Sequence, residues 1–278
     1  MEQKYYREKT PSGFGIAIKI KDVLFSAQSK YQKIEVLQSE SSLGKILTLN
    51  DLMFVNEGDY YNYSEMITHV PMLSNKMPKA VLVIGGGTGT IAKEVLKYDT
   101  VEKVVIVDID EMVIETSKKY LPSVAGCLDD KKVKIEITDA IEYVKNKEND
   151  FDVIMITSPD PLGPGVGLYT KEFYLNIKKN LKTGGILVVQ SESPVSKEEK
   201  SRHLYKILTD VFSIVKTYTS PVPTYPGSRW VWAFCSNDTA PLQDIDINRY
   251  NNIVKTCKLF NLDYAQEKFK EETILDDL

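Results

Sequence analysis

The stretch Ala80-Val81-Leu82-Val83-Ile84-Gly85-Gly86-Gly87-Thr88-Gly89-Thr90 decides how the rest of the chain is read. Five apolar residues in succession, with no alternation, are the pattern of a parallel strand covered on both faces. The glycines that follow free the backbone for positive φ and for close approach to a ligand. Beyond them Ile91–Tyr98 has a helical pattern, completing a strand–loop–helix unit.

Working outward, the unit repeats. Lys103–Val107, Val133–Ile137, Phe151–Ile156 and Ile186–Gln190 read as strands, separated by helices over Glu111–Tyr120, Ala140–Asn146 and Lys171–Leu181, the last stopped by Gly184-Gly185. Alternation at this pitch predicts a Rossmann-like, doubly wound α/β sheet. Lys197–Val211 reads as a helix, Ser213–Thr219 and Arg229–Cys235 as late strands, and the polar tail Ile247–Lys270 as helical. Upstream, Gly15–Ile20, Tyr31–Leu37, Lys45–Leu49 and Met53–Val55 read as a small antiparallel sheet, with Asn50-Asp51 as a turn. A helix is expected over Asp59–Leu73. The expected organisation is an N-terminal β domain over 1–72 and a Rossmann-like catalytic domain over 73–278.

The spacing of the loop separates cofactors. A dinucleotide fingerprint requires G-x-G-x-x-G, whose last place is here Thr90. Gly85, Gly87 and Gly89 give G-x-G-x-G, the looser form of adenosylmethionine folds. Asp108 ends the second strand about twenty residues after the loop, where an acid can accept from both ribose hydroxyls. Asp139-Ala140 follows the third strand, where the side chain can accept from an adenine amino group or cap the next helix.

Composition bounds the function. The 278 residues are 42% hydrophobic and 27% charged, an ordinary globular balance, and the net charge of −4 argues against a basic nucleic-acid-binding surface. Cys127, Cys235 and Cys257 form no CxxC pair and read as free thiols. With only His69 and His203, no histidine-rich metal site is expected. The N-terminus lacks the apolar core of a signal peptide, and no apolar run reaches membrane-spanning length, so a cytoplasmic protein without membrane association is expected.

The segment Asp152-Val153-Ile154-Met155-Ile156-Thr157-Ser158-Pro159-Asp160-Pro161-Leu162-Gly163-Pro164 resembles the signature of spermidine synthase and the related polyamine aminopropyltransferases. Ser29-Lys30-Tyr31-Gln32, Tyr63-Ser64-Glu65-Met66, Asp108-Ile109-Asp110, Gln190-Ser191-Glu192-Ser193 and Pro223-Thr224-Tyr225-Pro226-Gly227 with Trp230 add to the likeness along the whole chain. The resemblance implies an aminopropyl transfer from decarboxylated S-adenosylmethionine to a small-molecule amine, without a metal, by a homodimer or homotetramer. It also implies that Gln32, Gly85, Gly87, Thr88, Asp108, Asp139, Ala140 and Pro164 contact the donor. Asp160, Tyr63 and Thr157 become the candidate catalytic set, and Ser64 and Tyr225 the candidate acceptor-binding residues.

The departures from the family pattern bear on chemistry. The resemblance implies an Asp at Thr88 to hold the ammonium of the donated group, and an acid at Thr157 to act as base. It implies His or Gln at Ser64, Gln and Glu at Phe54 and Tyr60, and Glu at Asp108. A neutral hydroxyl at 88 tolerates the carboxylate of intact S-adenosylmethionine, which an Asp would repel. Methyl or aminocarboxypropyl transfer is therefore the alternative expectation, and a non-catalytic nucleoside-binding protein the second alternative.

Overall fold

The computed structural model describes residues 4–9, 13, 15–145, 147–157, 163–192 and 198–270. Its first layer is an antiparallel sheet in the order β1-β2-β3-β4-β5, made of β1 Tyr5–Lys9, β2 Gly15–Gln28, β3 Lys33–Ser39, β4 Lys45–Leu49 and β5 Leu52–Asn56. Asn50 and Asp51, at φ 50° and 63°, make the tight turn between β4 and β5, a conformation these two side chains tolerate best after glycine. β1 carries no sequence signal of its own. β2 runs on to Gln28, well past the predicted Ile20, because bulges against β3 let one long strand keep its pairing.

The second sheet has seven strands: β6 Ala80–Ile84, β7 Lys103–Asp108, β8 Val133–Ile137, β9 Phe151–Ile156, β10 Leu181–Glu192, β11 Ile214–Pro221 and β12 Arg229–Ser236. Their order is β11-β12-β10-β9-β6-β7-β8, parallel from β10 through β8, with β12 antiparallel to both its neighbours. This is the predicted doubly wound sheet, with an antiparallel edge.

The helices are α1 Tyr61–Ser74, α2 Thr90–Val95, α3 Glu111–Tyr120, α4 Pro122–Ala125, α5 Ala140–Lys145, α6 Lys171–Asn180, α7 Glu198–Val211, α8 Ile247–Val254 and α9 Leu262–Lys268. Gly184-Gly185 lies inside β10: α6 stops at Asn180 and the strand begins at once. The tail is two helices, each started by a side-chain cap, Asp246 on α8 and Asn261 on α9.

The apolar run of β6 behaves as its sequence requires. Val81 and Val83 enter one core with α1, α2 and the tail, while Leu82 and Ile84 enter the opposite core with α6 and α7. A third core joins the sheets: Ile34, Val36, Leu47 and Val55 pack on Val113 of α3 and on Leu121 and Val124 beside it. α1 is buried along nearly its whole length, so its polar groups need internal partners. Glu65 accepts the backbone N–H groups of Lys258, Leu259 and Phe260, each at 2.8 Å, which pins the tail to α1. His69 sits between Tyr98 at 2.9 Å and Glu94 at 3.1 Å, tying α1 to α2.

Candidate active site

In a doubly wound sheet the ligand crevice lies where successive strands turn to opposite sides. From β6 the chain steps outward to β7 and β8, then returns to lay β9 on the other flank of β6. The loops after β6 and β9 therefore diverge. Thr157, just past β9, spans the gap: its hydroxyl donates to the Gly85 carbonyl at 2.8 Å and its N–H to Ile84 O at 2.9 Å.

Three of the loop's glycines have a backbone or packing reason to be glycine. Gly85 and Gly89 hold φ of 80° and 78°, costly for any residue with a Cβ. A Cβ on Gly87 would lie 2.6 Å from Asp108 Oδ2, which instead accepts the Gly87 N–H at 2.9 Å. Asp108 Oδ1 takes the Asp110 N–H at 3.1 Å. Burial pushes the Asp108 carboxyl up to about 6, and backbone N–H donors from Asp110 and Gly87 only partly oppose this.

Asp110 faces the N-terminal sheet. Ser29 Oγ and Gln32 Nε2 donate to its Oδ2 at 2.6 and 3.0 Å, so Gln32 lies against the loop that carries Asp108. Asp110 also caps α3 through Met112 N. Asp139 Oδ1 accepts the Ile141 N–H at 2.8 Å, which is the helix-capping geometry, with Ala140 opening α5.

Two adjoining hollows open beside this loop and share Phe54, Tyr63, Thr90 and Tyr225. The inner one adds Gly86, Thr88, Ile91, Thr157 and Gln190. Thr88 and Thr157, far apart in sequence, thus line one space, each only 5% exposed. The outer hollow adds Val55, Asn56, Asp59, Tyr60 and Val222. Tyr63 Oη donates to Gln190 Oε1 at 2.7 Å, and Tyr225 Oη to the Phe54 carbonyl at 2.7 Å. These bonds fix the rings about the opening with centroids 6.1 Å apart, and Trp232 and Trp230 back them edge-on. Burial holds both phenols well above their ordinary value, so they are neutral donors here.

Of the residues singled out from sequence, Thr88, Tyr63, Thr157 and Tyr225 line this cleft; Gly85 and Gly87 do not appear in its lining, and Asp108 lies against the loop through the Gly87 N–H. Ser64 does not line the cleft: fully buried, its hydroxyl donates back to the Tyr60 carbonyl at 3.0 Å. Asp160 lies outside the described residues, as does the side chain of Pro164. Gln190, part of the family likeness but given no role by it, lines the cleft, as does Asp59. The sequence predicts a helix from Asp59, but Asp59 stands in the turn before α1, where Asn56 Oδ1 accepts the N–H groups of Gly58 and Asp59. An Asn three residues before an acid is the signal for such a turn. Among the described residues no cluster of His, Cys, Asp and Glu could hold a metal ion, and no helix is long and apolar enough to cross a membrane.

Comparison with known proteins gives a consistent set of likenesses. A family model described as the spermine/spermidine synthase domain matches residues 61–246, and one described as the spermidine synthase tetramerisation domain matches residues 4–57. A polyamine aminopropyltransferase of Clostridium botulinum (strain Eklund 17B / Type B) is 41% identical over 278 residues, spanning 99% of this chain and 97% of that protein. Its counterpart in Bacillus subtilis (strain 168) is 37% identical, spanning 100% and 99%. A crystal structure of spermidine synthase in complex with the transition-state analogue AdoDATO superposes with a TM-score of 0.95 at 33% identity, over 100% of this chain and 97% of that one. Spermidine synthase from Thermotoga maritima gives 0.94 at 32%, over 100% and 96%.

Proposed function

The chain belongs to the spermine/spermidine synthase family, and on that premise we propose that it transfers an aminopropyl group from decarboxylated S-adenosylmethionine to an amine acceptor. The transferase class and the aminopropyl reaction follow from the family. The roles of individual residues are our reading of the cleft.

In that reading the nucleoside half of the donor lies over the glycine loop. Asp108 takes the ribose hydroxyls, Gln32 steadies the neighbouring Asp110, and Asp139 with Ala140 and Pro164 borders the adenine. The observation that carries this is the contact of Gly87 with Asp108, where the loop lies so close over the acid that only glycine fits. The sulfonium end then points into the inner hollow between Thr88 and Thr157, and the acceptor enters between Tyr63 and Tyr225.

The reaction is an in-line displacement. The amine lone pair attacks the methylene beside sulfur, a C–N bond forms, the C–S bond breaks and its electron pair leaves on a neutral thioether. No general acid or oxyanion hole is needed for such a leaving group. The requirements are alignment and loss of a proton from the acceptor. An alkyl ammonium with a pKa of ~10.4 costs several kcal/mol to deprotonate near neutral pH. Thr157 cannot supply that charge, since its hydroxyl is neutral and already donates to Gly85 O. Asp160, the acid of the signature segment, is the residue we assign to the acceptor amine. Ser64, bonded to its own helix, has no part in this reading. The N-terminal sheet matches a tetramerisation domain, and the assembly proposed is a homotetramer built through it.

The test is to incubate the protein with each donor and a panel of amines and read the nucleoside product by mass spectrometry. Methylthioadenosine with the decarboxylated donor is expected. S-adenosylhomocysteine from intact S-adenosylmethionine would instead establish methyl transfer. Tight nucleoside binding with no turnover on any amine would establish a binding protein.

A further inference from the structure

One titratable cluster lies inside the fold, behind the wall of the cleft. His69 of α1 is fully buried, and Glu94 and Tyr98 beside it are each 1% exposed. The ring is held at both nitrogens, Nδ1 at 2.9 Å from Tyr98 Oη and Nε2 at 3.1 Å from Glu94 Oε2. Burial by itself would raise the Glu94 carboxyl, but its bonds to His69 and Lys97 hold it below its ordinary value. Glu94 is therefore an acceptor, and Nε2 carries the hydrogen between them. Lys97 also donates to the Thr256 carbonyl at 3.3 Å, and Phe260 meets the His69 ring edge-on at 5.2 Å, so the tail closes the cluster from outside. An apolar side chain of this volume would need no partners here, so the two polar contacts are what the imidazole adds.

These contacts join the two helices that carry different walls of the reacting compartment. α1 brings Tyr63 to both hollows, six residues before His69, which is about 9 Å along the helix at about 1.5 Å per residue. α2 brings Thr90 to both and Ile91 to the inner one, and Thr88 lies just before it. Glu94 stands four residues after Thr90, one turn along the same face. α2 has six residues, too few to be stable alone, so its position is set by what it is fixed to. Its apolar packing through Ile91, Ala92 and Val95 favours closeness without fixing register, whereas two hydrogen bonds to a rigid ring fix both distance and angle. We infer that His69 is a positioning residue for the transfer: by locking α2 to α1 it sets the spacing between Thr88–Ile91 and Tyr63, and with it the line of attack. The inference rests on the proposed reading of this cleft as the place of aminopropyl transfer. In-line displacement depends on that spacing, since a misplacement of about 1 Å costs roughly a hundredfold in rate.

The test separates rate from binding. The ribose contact proposed above is made by Asp108 at the end of β7, away from α1 and α2. His69→Leu fills the volume and removes both bonds, so kcat should fall about tenfold or more. Methylthioadenosine affinity by calorimetry should stay within about twofold of wild type. His69→Gln again offers one donor and one acceptor and should recover most of the lost rate. Where the leucine variant does not fold, Tyr98→Phe, which removes one hydroxyl only, should give the same split at smaller size. Two readouts are independent of turnover. A proton–nitrogen correlation spectrum of the imidazoles near neutral pH should show a hydrogen on His69 Nε2. The chain has two histidines, and the other, His203, is exposed and is identified by His203→Gln. Amide exchange at 90–95 should accelerate in His69→Leu while that at 104–107 in β7 does not. A leucine variant with the wild-type kcat overturns the assignment, as does one that loses affinity and rate in proportion. So does a glutamine variant no faster than leucine, or a ring with its hydrogen on Nδ1 alone. If wild type yields no methylthioadenosine with any amine, the reaction proposed falls, and the imidazole spectrum and the exchange rates still decide whether His69 locks α2 to α1.

Discussion

Replacing Asp108 by Asn tests the nucleoside site through two measurements at once, affinity and its pH dependence. The carboxylate sits under the glycine loop with Oδ2 on the Gly87 N–H and Oδ1 on the Asp110 N–H, and burial raises it to about 6. Ribose hydroxyls donate to the ionised form, so binding requires the proton to leave. Methylthioadenosine affinity should be level above about pH 7 and about tenfold weaker at about pH 5, one pH unit below that value. An aspartate at its ordinary value, ~3.9, has finished titrating by then and would give no such slope. Asp108→Asn removes the charge, and its amide group faces one of the two backbone donors. The loss of one charge-assisted contact is worth about 1.5–3 kcal/mol, so binding at about pH 7.5 should weaken by about tenfold or more, with the slope abolished. The stability effect has the opposite sign. Because the folded value lies above the unfolded one, this group favours the fold below about pH 4, and that contribution is lost as pH rises through 6. A bound nucleoside restores it, so the thermal shift from a fixed methylthioadenosine concentration should grow between about pH 5 and 7. Isothermal calorimetry at several pH values, with circular dichroism to confirm folding, decides the matter. A wild-type affinity that is flat across this range, or an Asn variant with the wild-type slope, refutes the assignment.

Two further changes probe the donor pocket and the frame around it. Thr88→Asp combined with Thr157→Asp should shift the ratio of affinities toward the decarboxylated donor by about tenfold or more, since a carboxylate attracts its lone ammonium and repels the carboxylate of the intact donor. The pair also loses the Thr157 bond to Gly85 O, so the ratio of donors, not the absolute affinity, is the measurement that counts. An unmoved ratio would mean that these threonines do not govern the donor. Glu65→Ala removes the acceptor of three buried N–H groups and should cost about 3 kcal/mol or more in denaturant unfolding, with amide exchange at 258–260 accelerating first. A loss below about 1 kcal/mol would show that the tail is held by its apolar contacts alone.

Much of this protein was legible in its sequence because the signals are local. The unbroken apolar run of β6 can only be a strand with two covered faces, and the glycines after it only a loop that needs them. Positive φ at Gly85 and Gly89 and the absent Cβ at Gly87 are consequences of backbone sterics, which one residue type satisfies. Asp108 could be placed by counting, since a strand tip fixes where its last side chain lies. The long irregular signature around Asp160, with matching segments along the chain, was enough to indicate the family.

Other features depend on which residues the fold brings together across distance. Nothing near Thr88 in sequence indicates that Thr157 shares its hollow; the switch in strand order between β6 and β9 puts them there. The family likeness places Ser64 in the cleft, but successive residues on a helix point to different sides, and its hydroxyl turns to the Tyr60 carbonyl. Glu65 belongs to a segment of the family likeness that assigns it no partner, and its partners are amides almost two hundred residues away. Asp59 read as an ordinary helix start. In the lining of the outer hollow it is held by Thr224, brought to it by a loop from the far edge of the large sheet. Sequence by itself determined the layers, the glycine loop and the acid beneath it, because each follows from the short-range geometry of one element. Tertiary structure alone decided which polar side chains face the cleft and which are consumed inside the core, because every buried polar group must find a partner and that partner is set by topology.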